Sequence, residues 1–87
     1  MLQEEKLITL HDLISAEERV NSLLKNVKIQ VGMEHGYFMA NFCRAEDYDP
    51  VRKRCRDFSG RVISRLTRRE MLSFLQALED ILSHEFR

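Results

Sequence analysis

Eighty-seven residues, 44% hydrophobic and 32% charged, make one small domain over residues 1–87, large enough for a core without metal or disulfide staples. No apolar run approaches the roughly eighteen residues a membrane span needs, and MLQEEKLITL is too acidic and mixed for a secretory signal, so a cytoplasmic setting with no membrane partner is expected. Zero net charge hides a division: residues 1–51 carry five Lys/Arg against nine Asp/Glu, residues 52–69 eight against one, and residues 70–87 one against four.

The first expected element is a helix capped by Thr9, with Asp12 in the first turn as a shortened capping box; Ser15 with Glu18 is an alternative, later start. Leu10, Leu13, Ile14, Val20, Leu23 and Leu24 recur at helical spacing, and Glu17 interrupts this stripe where an apolar residue is expected. Lys25 suits the negative end of the helix, and Asn26 suits a left-handed residue just beyond it.

Residues 26–42 admit two readings. Val27, Ile29, Val31 and Met33 alternate with Lys28, Gln30, Gly32 and Glu34, which is the rhythm of a strand with one buried face. A continued helix would strand Ile29 and absorb Gly32 and Gly36 at a cost of about 1 kcal/mol each. The favoured reading is therefore a hairpin turning at Glu34, His35 and Gly36, with residues 37–43 returning. An all-α helical hairpin or three-helix bundle is the alternative.

RAEDYDP reads as an acidic loop. Asp49 fits a cap and Pro50 the first position of a short basic helix, with Val51, Cys55 and Phe58 on one face and Ser59-Gly60 as its stop. Residues 61–66 fit either further helical turns or a third strand. Thr67 and Glu70 then form a capping box for a long final helix bearing Met71, Phe74, Leu75, Leu78, Ile81 and Leu82 as the spine of the core. The expected fold is thus α+β: an N-terminal helix, a β-hairpin, a short basic helix and a long C-terminal core helix.

Nothing marks a nucleophile, base and orienter as a set, so no enzyme is expected. His11, His35 and His84 are scattered, no paired ligands announce a metal, and no cofactor is implied. Cys43 and Cys55 lack a CxxC spacing and are expected as buried thiols. Tyr37 is expected to pack at a sheet edge, with stacking on a base as the functional alternative.

The strongest signal is Arg52, Lys53, Arg54, Arg56, Arg61, Arg65, Arg68 and Arg69, seven of them arginine, whose planar fork matches phosphate and carboxylate. A small regulatory protein gripping nucleic-acid backbone is the first reading, and an adaptor or inhibitor on an acidic protein surface the second; overall neutrality weighs against strong non-specific DNA binding. A homodimer is a further possible partner, because a small domain leaves much apolar area to hide.

Overall fold

The computed structural model describes residues 7–56 and 60–85, with the backbone alone for Arg61, Val62 and Glu85. Helix α1 spans Leu10–Leu23. The Thr9 hydroxyl accepts from the Asp12 N–H at 3.2 Å, and the Asp12 carboxylate accepts from the Thr9 N–H at 2.9 Å, so the shortened capping box forms. The far end differs from expectation. Leu24 caps it in an extended conformation, and no left-handed residue follows. Lys28 Nζ instead donates to the Asn21 and Leu24 carbonyls, both at 2.7 Å, and satisfies groups that a helix end leaves open.

Strands β1 (Val27–Glu34) and β2 (Tyr37–Arg44) pair antiparallel, from Glu34 opposite Tyr37 to Val27 opposite Arg44. Their two-residue turn, His35 (φ 54°) and Gly36 (φ 82°), is left-handed at both positions, matching the natural twist of a hairpin. The hairpin reading holds and the all-α alternative falls.

The expected short basic helix does not form. After a single 3-10 turn over Ala45–Asp47, the chain makes a small two-stranded ribbon, β3 (Tyr48–Asp49) against β4 (Arg54–Cys55). Asp49 does act as a cap, accepting from Val51 and Arg52 N–H at 3.0 and 3.2 Å, and Lys53 N–H reaches the Asp49 carbonyl at 2.7 Å. Lys53 then turns left-handed (φ 57°), which ends the turn and sends Cys55 back toward β2. There Cys55 forms a disulfide with Cys43, so the two cysteines are bridged rather than free thiols. Phe58 and Ser59, assigned above to the helix face and its stop, lie outside the described residues.

Strand β5 (Arg61–Leu66) resolves the ambiguous segment as a third strand, adding to β2 in the order β1-β2-β5. Two register shifts interrupt this pairing, and Arg65 (φ 62°) sits beside the first, between Phe38 opposite Leu66 and Ala40 opposite Ile63. Gly60 serves a close approach rather than a helix stop: its carbonyl accepts from Phe42 N–H at 2.9 Å, and an added Cβ would overlap the Phe42 carbonyl. Helix α2 (Arg68–Glu85) begins with the expected box, Thr67 N–H to Glu70 at 2.8 Å and Glu70 N–H to the Thr67 hydroxyl at 3.2 Å.

Both helices cover one face of the sheet. Leu13, Ala16, Val20, Ile29, Phe38, Ala40, Met71 and Leu75 form the buried core, flanked by Leu24, Val31, Phe42, Ile63, Leu66, Phe74, Leu78 and Leu82. The α1 stripe is rotated from the expected one, since Leu10 and Ile14 are about half exposed while Ala16 and Glu17 are buried. Ile81 likewise faces outward. Arg19 Nε donates to Glu79 Oε1 at 3.1 Å and ties the helices together. No described helix is long and apolar enough to cross a membrane.

Candidate functional site

Alternation along each strand puts Lys28, Gln30, Gly32 and Glu34 of β1, and Tyr37, Met39, Asn41 and Cys43 of β2, on the face turned away from the helices. The ribbon roofs one end of this face. Its anchors are the Cys43–Cys55 bridge and the Cys55 N–H donated to Gln30 Oε1 at 2.6 Å. At its other side the ribbon reaches round β1 to α1, where Lys53 meets Glu18. Glu18 is held below its ordinary value and Lys53 above its own by this mutual hydrogen bond.

The expected basic residues therefore separate into groups. Arg52, Lys53, Arg54 and Arg56 project from the ribbon and are exposed. Arg52 stands 3.9 Å from Asp49, whose carboxyl is held low first by the Arg52 backbone N–H. Arg56 Nη1 makes a long contact, 3.4 Å, to the Glu46 carbonyl, and Arg54 has no partner among the described residues. Arg61 pairs through its backbone with Asn41, and its side chain lies outside the described set. Arg65 is exposed at the opposite end of the sheet, without a described partner. Arg68 and Arg69 open α2 on the helix side: Arg68 donates to the Ile8 carbonyl at 2.8 Å and lies 6.0 Å from the Phe38 ring centre, and Arg69 is also engaged within the chain. A single stripe of eight cations is not what the fold builds.

Two clefts adjoin these groups. The larger, about 620 Å³, lies at the open end of the helix-free face between Glu34, His35, Tyr37, Met39, Ser64 and Arg65. Met39 is buried at 8% exposure, whereas Tyr37 is half exposed. Sequence spacing alone hides this grouping, because Ser64 and Arg65 reach the hairpin turn only through the β2-β5 pairing and its register shift.

The smaller cleft, about 290 Å³, is apolar and runs between α1 and the outer edge of β1, lined by Leu10, Leu13, Ile14, Glu17, Val31, Gly32, Met33 and Phe38. Glu17 is 5% exposed and accepts the Val31 N–H at 2.6 Å. Burial raises its carboxyl from 4.5 to about 7, against the lowering effects of that hydrogen bond and of Lys53. Asn21 holds the same strand edge, donating to the Ile29 carbonyl at 2.9 Å and accepting from the Ile29 N–H at 2.8 Å. The break that Glu17 makes in the apolar stripe was the one sequence signal for this arrangement.

Among the described residues, no group of three or more His, Cys, Asp or Glu side chains is gathered to hold a metal ion. No protein-family model, curated protein or solved structure matches the chain.

Proposed function

We propose that the chain is a small non-catalytic regulatory binding protein that contacts nucleic-acid backbone through arginines on and beside the helix-free face of its sheet. The observation that carries this reading is that Arg54 and Arg65 are exposed with no described internal partner. Arg52 adds to it, at 78% side-chain exposure and bound to Asp49 only across 3.9 Å. An exposed pair of that kind contributes at most about 1 kcal/mol, so a phosphate can take the guanidinium at little cost. Arg68 and Arg69 drop to a secondary role, because both are already engaged within the chain. The proposed setting is cytoplasmic, where the glutathione pool acts on the Cys43–Cys55 bridge, so binding is measured with and without reductant.

The test is binding to labelled duplex and single-stranded probes across a salt series, comparing the native chain with a variant carrying Arg52→Gln, Arg54→Gln, Arg56→Gln and Arg61→Gln. Binding at low salt that weakens as salt rises, with a shallower slope in the variant, is expected; each lost phosphate contact removes about 0.7 to 0.9 from the logarithmic slope. No binding at low salt, or binding indifferent to the four changes, ends the proposal.

A protein partner is the second reading, favoured by the carboxylates that the ribbon cations already accept, Asp49 on Arg52 and Glu18 on Lys53. Under it, co-purification returns an acidic protein whose capture fails with the same four-residue variant.

A further inference from the structure

From the cleft of about 620 Å³ at the hairpin end of the sheet, we infer a site for one unstacked nucleoside monophosphate unit, with its base on the Tyr37 ring and its phosphate on Arg65. The inference rests on the proposed nucleic-acid reading and names the part of the chain that would handle a base rather than backbone alone.

Tyr37 is half exposed at the first residue of β2, and the buried Met39 two residues on shares its face of the sheet. An aromatic ring in that position offers a flat apolar surface of the kind on which bases of any sequence stack. Arg65 supplies the fork for phosphate, with no described internal partner to displace. Ser64 and His35 bring a hydroxyl and an imidazole to the same cleft as further hydrogen-bond donors.

The backbone supports the same assignment. Among the described residues three non-glycine positions have positive φ; His35 owes its own to the hairpin turn, whereas Arg65, which lines the same cleft, holds its own inside strand β5. Left-handed backbone is disfavoured for a side chain such as arginine, and such positions concentrate at binding sites. Here the register shift beside Arg65 brings Arg65 and Ser64 into the wall of a single cleft. The open end also contrasts with the other end of the same face, which the ribbon covers.

The experiment is an amide-shift titration of the full chain with a single-stranded oligonucleotide, a duplex of the same sequence and a nucleoside monophosphate, repeated with Tyr37→Leu, Tyr37→Phe and Arg65→Gln. The expected result is shifts at Tyr37, Met39, Ser64 and Arg65 with the single strand. Tyr37→Leu should weaken single-strand binding about tenfold or more while sparing duplex binding, and Tyr37→Phe, which keeps the ring, should restore it. Arg65→Gln should lower the salt slope by about 0.7. Monophosphate binding as tight as the oligonucleotide identifies a free nucleotide as the ligand, and tighter oligonucleotide binding identifies a strand; both support the site. Single-strand binding unchanged in Tyr37→Leu, with shifts confined to residues 52–56, overturns this inference and leaves the backbone-binding proposal standing. Absence of binding to every probe overturns both.

Discussion

Replacing Glu17 by glutamine should abolish a loss of stability that the native protein suffers as pH rises through neutrality. The Glu17 carboxyl is buried against α1 and β1 and titrates near 7 rather than at 4.5. Between those values the folded protein holds a proton that the unfolded chain has released, so stability falls as pH rises. The contribution is complete below 4.5 and gone above about 7; at about 1.4 kcal/mol per pH unit, the full span is roughly 3 kcal/mol. Besides burial and the Val31 N–H, the charged groups that act on Glu17 are Lys53 and Glu18, and Tyr48 is raised first by its own burial and then by Glu17; all three residues remain in the variant. Glutamine keeps an oxygen for the Val31 N–H and cannot ionise. Urea unfolding of both chains from about pH 5 to about pH 8.5 isolates the effect, because Asp49 and Glu18, held low, contribute equally to each. The native chain should lose about 2 to 3 kcal/mol relative to Glu17→Gln across this range. Parallel stability curves would show that Glu17 ionises as it does in water and that burial does not hold its proton.

Three other perturbations read different joints of the fold. Changing Cys43 and Cys55 together to serine removes the bridge across a 12-residue separation and should cost about 3 kcal/mol in denaturant unfolding, matched by adding reductant to the native chain; an unchanged midpoint refutes the ribbon's tether. Gly60→Ala places a methyl group into the Phe42 carbonyl and should destabilise by about 2 kcal/mol or more, with β5 amides exchanging faster; native-like protection there counts against the close approach. Asn21→Ala strips both hydrogen bonds from the outer edge at Ile29 and should cost about 2 kcal/mol with faster exchange of the Ile29 amide, whereas unaltered exchange would show that edge to be held by something else.

How far the chain could be read in advance depended on whether the deciding forces were local. Thr9 with Asp12 and Thr67 with Glu70 are contacts three residues apart, and both capping boxes formed where the spacing put them. The hairpin was equally local, because alternation and a left-handed pair at His35-Gly36 specify it without reference to the rest of the chain. The basic helix failed for the opposite reason. Asp49 and Pro50 carry a genuine helix-start signal, yet Cys55 is held at β2, and no local pattern encodes a bond to Cys43. Glu17 was visible only as a defect in a stripe, since its purpose, the Val31 N–H, lies fourteen residues away. The grouping of Arg65 with Tyr37 was invisible for the same reason: it follows from a register shift in a pairing between distant strands.

The same long-range contacts decide which surface is left for a partner. A strand added to β1 would need the outward groups of Ile29 and Val31, but Asn21 already takes both groups of Ile29, and Glu17 takes the Val31 N–H. The helix-covered face is closed by the core, and the Cys43 end of the opposite face is roofed by the ribbon. A partner that extends the sheet at β1 must therefore break hydrogen bonds that the molecule already has. One that approaches the hairpin end meets Tyr37 and Arg65 exposed, and one that approaches the ribbon meets Arg52 and Arg54. Recognition by side chains, through rings and guanidinium forks, costs this fold less than backbone pairing at β1, and the binding reading accordingly rests on Tyr37, Arg54 and Arg65 rather than on that strand edge.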